Sequence, residues 1–210
     1  MRIFVVSKGD SLYSIARKFG VSPTELSYIN ALSDPDRLTI GQTLVIPGGS
    51  APQGQIEVNG YAYPNISDTV LSEALPYMTF LCPFSWHIDV AGGITPVDDK
   101  RMISRAYETA TAPMLTLTNI GTSGGFSSDI AHAIFTDDAA QTTLIDNILA
   151  ALRSRGYYGV NLNIEYVYPF DRAGYNAFLK KLSETLHPKG YYLTSAIAPK
   201  TSDDQYGLLY

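Results

Sequence analysis

The chain has 210 residues, of which 45% are hydrophobic and 17% charged, a balance that excludes a disordered polyelectrolyte. A net charge of −5 offers no basic footprint, so nucleic acid is excluded as an expected partner. A single cysteine, Cys82, excludes an intramolecular disulfide, and the separated His87, His132 and His187 form no ligand pair, so neither metal nor cofactor is expected.

The first stretch, from Ile3 to Val6, is rich in β-branched and aromatic residues and reads as a short strand. It runs into Ser7-Lys8-Gly9-Asp10 too early to build a signal-peptide core, so no ordinary export signal is expected. Nor does any apolar run in the chain approach the ~20 residues that span a bilayer. Asp10 or Ser11 can cap a helix whose apolar residues Leu12, Ile15, Ala16 and Phe19 recur at helical spacing, with Gly20 closing it. Ser22-Pro23-Thr24-Glu25 opens a second helix, with proline at its first position and an acidic residue in its first turn. A second strand follows at 43–46, stopped by Pro47. The order is therefore βααβ.

The phrases VVSKGDSLYSIARKFGVSPTELSYIN, ALSDPDRLTIGQ and TLVIP, which span this module, resemble the lysin motif (LysM) domain. That resemblance implies binding of N-acetylglucosamine-containing glycans, such as peptidoglycan, in a groove between two loops. By position the loops are Gly9, Asp10, Ser11 and Leu12 on one side, and Leu32, Ser33, Asp34 and Pro35 on the other. Helix-start amides can bond acetamido carbonyls, while Leu12 and Leu38 can face a sugar ring. Asp10 and Ser11 are equally explained as helix caps, and position alone does not separate the two roles. The module is expected to occupy 1–48, followed by a Gly- and Pro-containing linker at 49–54.

From residue 55 to 210 apolar strands alternate with helices, the pattern of a parallel α/β sheet or barrel. Strands are expected at 56–62, 77–84, 114–119, 159–166 and 191–198, and helices near 68–75, 100–109, 137–155 and 172–186. In the fourth strand Val160, Leu162 and Ile164 alternate with Asn161, Asn163 and Glu165, which places the two sets on opposite faces. Polar groups stacked inside a barrel are costly unless they bond one another or serve a site. Glu165 falls at the carboxyl end of the strand, where barrel active sites lie. A structural network and an edge strand with one wet face remain open alternatives.

The phrase YYGVNLNIEYV resembles the signature of glycoside hydrolase family 18, and VNGYAYP, FSW, PMLTLTN and SAIAPK resemble its spore-associated branch. The resemblance implies an α/β chain, a βααβ LysM module before a (β/α)8 TIM-barrel-type domain. It also implies a peptidoglycan N-acetylglucosaminidase of the spore cortex in an endospore-forming bacterium. Glu165 takes the general acid/base role, the acetamido group of the substrate is the nucleophile, and Asn161 and Asn163 occupy the other two signature positions. Tyr61, Trp86 and Tyr166, at or near strand ends, are expected as aromatic sugar contacts, with core packing the alternative role for each ring, and Asn119 is expected as a polar contact. The protein is expected to be a monomer whose partner is the glycan. Three departures open a second class, a non-catalytic glycan-binding or spore-coat protein. Tyr158 and Asn163 stand where the family has Asp, Asn161 is also a carboxamide, and only five strand signals precede Tyr210. A complete barrel typically takes about 250 residues, so this one is expected to stop after about five strands.

Overall fold

The computed structural model describes residues 2–48 and 54–197, and the chain divides into two compact units, Met1–Ile56 and Glu57–Tyr210. Apart from Gly54, the expected linker at 49–54 lies outside the described residues.

In the first unit β1 (Arg2–Val5) pairs antiparallel with β2 (Thr43–Ile46), Arg2 opposite Ile46 and Val5 opposite Thr43. Between them lie α1 (Leu12–Phe19) and α2 (Pro23–Ile29). Ser11, not Asp10, caps α1. Its Oγ accepts the Ser14 N–H at 3.1 Å, and Ser14 Oγ accepts the Ser11 N–H at 2.9 Å, so two otherwise orphaned donors are satisfied reciprocally. Asp10 instead closes the preceding turn by accepting the Ser7 N–H at 2.7 Å. The chain leaves α1 through Gly20 at φ 68°, a left-handed conformation that side chains with a Cβ disfavour. Leu12, Ile15 and Ala16 bury against Val6, Leu26, Leu44 and Ile46. Asn30 ties α2 to β2: its Oδ1 accepts the Val45 N–H at 2.7 Å, and its Nδ2 donates to the Val45 carbonyl at 2.8 Å.

The second unit begins with β3 (Asn59–Ala62), α3 (Asp68–Ala74), β4 (Phe80–Pro83), β5 (Trp86–Ile88) and β6 (Ile94–Thr95). It continues with α4 (Lys100–Glu108), β7 (Ala112–Thr118), α5 (Ser128–Thr136), α6 (Asp138–Arg155), β8 (Gly159–Asn163), α7 (Arg172–Leu186) and β9 (Tyr192–Ser195). β3 pairs parallel with β4, β4 with β7, β7 with β8, and β8 with β9. β4 runs beside the start of β7 (Phe80 opposite Ala112) and β5 beside its end (Trp86 opposite Leu117), so they are two segments of one strand position. The sheet therefore has five parallel positions, with β6 added as an antiparallel partner of β5. These are the positions expected from sequence. The second starts later than expected because a 3-10 turn occupies Leu75–Tyr77. Helix α5 and the β5–β6 hairpin lie where the sequence reading placed no element.

Sidedness follows the alternation. Val160, Leu162 and Ile164 lie in the main core with Ile134, Leu144, Ile148, Phe178 and Leu182 from the covering helices. Burying each such side chain contributes about 1.5–3 kcal/mol. A one-residue slip of β8 would bury Asn161 and Asn163 in that core instead, so register is strongly specified. Gly159 permits the sheet to close here, since a Cβ at this position would collide with the Tyr192 carbonyl of β9. No helix among the described residues is long and apolar enough to cross a membrane.

Candidate active site

On the face away from the helices, β8 places Asn161 opposite Thr116 of β7 and Thr194 of β9, and Asn163 opposite Thr118. Asn161 is buried and its amide is engaged at both its oxygen and its nitrogen. It accepts the Tyr61 hydroxyl at 2.8 Å and donates to Thr194 Oγ1 at 2.8 Å. This chain of bonds joins the first sheet position to the fifth, so the sheet wraps around its polar face. Burial raises the Tyr61 hydroxyl above its ordinary range, with the nearby Cys82 and Glu165 adding to the effect and Asn161 opposing it. The phenol is therefore a neutral donor.

Asn163 differs. It is 7% exposed, yet its side-chain amide has no hydrogen-bond partner among the described residues. Two residues on, Glu165 follows the end of β8 in a partly open position, and its carboxylate has no ion pair or hydrogen bond there either. Thr116 Oγ1, on the neighbouring strand, is a buried hydroxyl without a partner among the described residues. Cys82 shares this interior but offers no nucleophile at neutral pH, because burial pushes its thiol up to about 12.

The peptide of Glu165 is held by Asn119, which is 0% exposed. Asn119 Oδ1 accepts the Glu165 N–H at 2.9 Å, while its Nδ2 donates to the Glu165 carbonyl at 2.8 Å and the Ser127 carbonyl at 2.9 Å. Asn119 was expected as a sugar contact; its amide is instead spent on backbone. The following residue, Tyr166, sits at φ 57°, a left-handed conformation costly for a bulky side chain. Its ring is exposed and lies 6.4 Å from Phe126. Further contacts from α5 pin the same segment. Ser128 Oγ donates to the Tyr166 carbonyl at 2.5 Å, the Tyr168 hydroxyl donates to Asp129 at 3.0 Å, and His132 Nδ1 meets Asp171 at 2.9 Å.

Trp86 lies elsewhere. It is 5% exposed in the helix-facing core, where its indole N–H donates to the buried Asp99 at 2.7 Å. The Tyr157 hydroxyl also donates to Asp99, and Arg155 approaches it at 3.5 Å while lying over the Trp86 ring. The sequence reading placed this tryptophan at the sugar because a ring at a strand end is ambiguous; the strand break before it turns it to the helices. The exposed ring on Asn161 is Tyr61, which lies edge-on to Phe84 at 5.8 Å, with Tyr63 against the same Phe84 ring at 5.6 Å. Thr194 and α5 went unread. The alternation of β8 was the only signal, and it names no partner on other strands.

In the first unit Leu12, Leu32 and Pro35 line one hollow together with Tyr13, Tyr28 and Asp36. Leu32, Ser33 and Asp34 line a second with Arg37 and Gln42. Gly9, Asp10 and Ser11 line neither, and the side chains of Asp10 and Ser11 are spent on the turn and the cap. Among the described residues no group of three or more His, Cys, Asp or Glu is placed to hold a metal ion.

The fold and this face define a small βααβ module joined to a parallel α/β sheet whose polar concave face ends in a glutamate. Residues 4–47 match the LysM domain, and residues 100–210 match the glycosyl hydrolases family 18. The chain belongs to family 18 of the glycosyl hydrolases and carries a LysM domain. It is 32% identical to a cortical fragment-lytic enzyme of Bacillus subtilis (strain 168), an alignment covering 100% of this chain and 61% of that protein. The crystal structure of the Bacillus cereus spore cortex-lytic enzyme SleL superposes with a TM-score of 0.70 at 32% identity, covering 99% of this chain and 49% of that one. A chitinase from Chromobacterium violaceum shares the fold at 22% identity and a TM-score of 0.63, covering 74% of this chain and 51% of that one. The chain spans 48% to 61% of the length of the curated relatives it first matches.

Proposed function

We propose that this protein is a spore-cortex N-acetylglucosaminidase that cleaves peptidoglycan after N-acetylglucosamine, with net retention. The observation that carries this reading is the pair of unspent groups at the carboxyl end of β8, the Asn163 amide and the Glu165 carboxyl, in a family 18 chain. Glu165 in its acid form protonates the departing glycosidic oxygen. The 2-acetamido oxygen of the sugar attacks the anomeric carbon as that bond breaks, giving an oxazolinium ion. Asn163 accepts the acetamido N–H and holds the oxygen below the ring. Water then gives its proton to the Glu165 carboxylate and adds to the anomeric carbon, reopening the oxazolinium and restoring the acid. This is the substrate-assisted variant of retaining hydrolysis. The LysM unit raises the local concentration of glycan around the catalytic unit. Relatives named for spore-cortex lysis support a spore location and a cortex substrate, and nothing in the mechanism requires a second copy of the chain.

The test is mass spectrometry of cortex fragments after incubation with the parent chain and with Glu165→Gln. New reducing N-acetylglucosamine ends from the parent, falling at least about 10³-fold in the variant, are expected for loss of a general acid/base. Turnover by the variant at the parental rate would remove Glu165 from the role. A second reading is favoured by one observation: both Asn161 and Asn163 are carboxamides and lend no charge to an oxazolinium ion. In that reading the chain binds glycan without cleaving it, and the same experiment shows retained binding with no products from either chain.

A further inference from the structure

We infer that Asn119 is a positioning residue for the reaction, a rigid bracket that fixes where the Glu165 carboxyl stands. The inference rests on the proposed acid/base role of Glu165. Glu165 lies beyond the last ladder bond of β8, since the strand ends at Asn163, so strand pairing does not place it. Its peptide is gripped at both ends by one side chain, the Oδ1 of Asn119 taking its N–H and the Nδ2 giving to its carbonyl.

The second Nδ2 hydrogen goes to the carbonyl of Ser127. Ser127 is the residue that caps α5, its Oγ accepting the Ile130 N–H. One buried amide thus locks the end of β7, the start of α5 and the Glu165 peptide into a single unit. Every polar hydrogen and the carbonyl oxygen of Asn119 are spent on backbone, which leaves it nothing for a sugar.

The bracket has a load to carry. Tyr166 immediately after Glu165 is held at φ 57°, a conformation that a tyrosine leaves unless its surroundings over-determine it. The Ser128 hydroxyl on the Tyr166 carbonyl is the second restraint. Release of the Glu165 peptide allows Tyr166 to relax to negative φ, which rotates the glutamate carboxyl away from Asn163. Misplacement of a reacting group by about 1 Å costs on the order of 10²-fold in rate.

The substitutions are Asn119→Ala and Asn119→Asp in the full chain, with kcat and KM measured on cortex fragments between acid and alkaline pH. Asn119→Ala is expected to lower kcat by about 10²-fold with KM little changed, because no sugar contact is lost. The near-isosteric Asn119→Asp retains the acceptor for the Glu165 N–H. It presents an ionised oxygen to two carbonyls until protonated, whereupon it donates again. Its deficit therefore shrinks as pH falls, while that of the alanine variant does not. A purely structural asparagine would instead lower the folded fraction and leave kcat per folded molecule at the parental value in both variants.

Hydrogen exchange at the Glu165 amide gives a readout independent of turnover, with at least about tenfold faster exchange expected in Asn119→Ala than in the parent. Parental kcat in folded Asn119→Ala, beside an inactive Glu165→Gln, overturns the bracket and leaves the proposed function intact. Parental turnover by Glu165→Gln overturns the proposed function itself and the bracket with it. If the parent chain produces no cleavage, unchanged exchange at Glu165 in Asn119→Ala overturns the bracket, and accelerated exchange supports it.

Discussion

Two asparagines, one in each unit, make the same pair of hydrogen bonds to a single peptide. Asn30 grips Val45 and Asn119 grips Glu165, each through one accepted N–H and one donated bond to the carbonyl, at 2.7 to 2.9 Å. Each gives its spare N–H to a further backbone carbonyl, Leu26 for Asn30 and Ser127 for Asn119. What differs is the residue gripped. Val45 lies within β2, whose neighbouring residues are held by pairing with β1, whereas Glu165 lies past the end of its strand. The bracket serves folding in both units, and on the proposed role of Glu165 it gains a catalytic consequence only in the second. Of the buried carboxamides among the described residues, Asn119, Gln141 and Asn161 make side-chain hydrogen bonds and Asn163, the exception, makes none.

The largest expected effect tests the exception. In the proposed mechanism Asn163 stands where the charge of an oxazolinium ion develops, and as an amide it offers a dipole but no charge. Asn163→Asp is expected to raise kcat on cortex fragments by about 10²-fold, the size of one well-placed electrostatic contact to a transition state. It removes no bond made by Asn163 within the described residues, and kcat is read per folded molecule because a buried carboxylate costs stability. An unchanged or lower kcat in stopped assays of reducing ends would show that the site is tuned to an amide, and would weaken the analogy between Asn163 and an electrostatic stabiliser.

A smaller effect tests the other side of the comparison. Asn30→Ala strips the bracket from Val45 and leaves its N–H and carbonyl short of a partner, at a cost of about 1–3 kcal/mol to the first unit. Faster hydrogen exchange at Val45 is the expected sign. Turnover of short soluble muropeptides is expected to stay within about twofold of the parent, since every side-chain hydrogen bond of Asn30 lies within the first unit. A fall in that turnover matching the Asn119→Ala loss would erase the distinction between the two brackets.

Much of this was legible in the sequence for a physical reason. Alternation of Val160, Leu162 and Ile164 with Asn161, Asn163 and Glu165 is enforced by strand geometry, so both faces of β8 could be assigned before any partner was known. The βααβ order was equally plain, because Ser11, Gly20 and Pro23 each punctuate the chain by their own backbone chemistry. What stayed hidden depends on contacts distant in sequence. Asn119 and Glu165 are separated by 46 residues, and no local pattern tells a bracket from a sugar contact. Trp86 misled because its side of the sheet is set by the break between β4 and β5, and its partner Asp99 looks like any other surface aspartate. Helix α5 was missed since Ser128-Asp129 opens it directly after a Gly- and Ser-rich turn, and it runs into Asp137, which caps α6.

The smallest effect concerns a buried thiol on the same interior face. Cys82 lies in the buried strand β4, and its thiol is pushed up to about 12 by burial. The unfolded chain ionises near the ordinary thiol range, so folding favours the protonated form. The contribution is fully present below the unfolded value and is lost as pH rises from there through about 12. At neutral pH, then, Cys82→Ala is expected to shift stability only by its lost packing, a large-to-small change at the low end of the core range. The pH signature is sharper than the stability change: alkaline destabilisation of the parent, followed by urea midpoint, should be shallower in the variant. Alkylation by iodoacetamide is expected to be slow in the folded chain and fast once urea unfolds it. Rapid alkylation of the folded chain at neutral pH would place a reactive thiolate in the sheet interior, and the division between spent and unspent groups around Glu165 would have to include it.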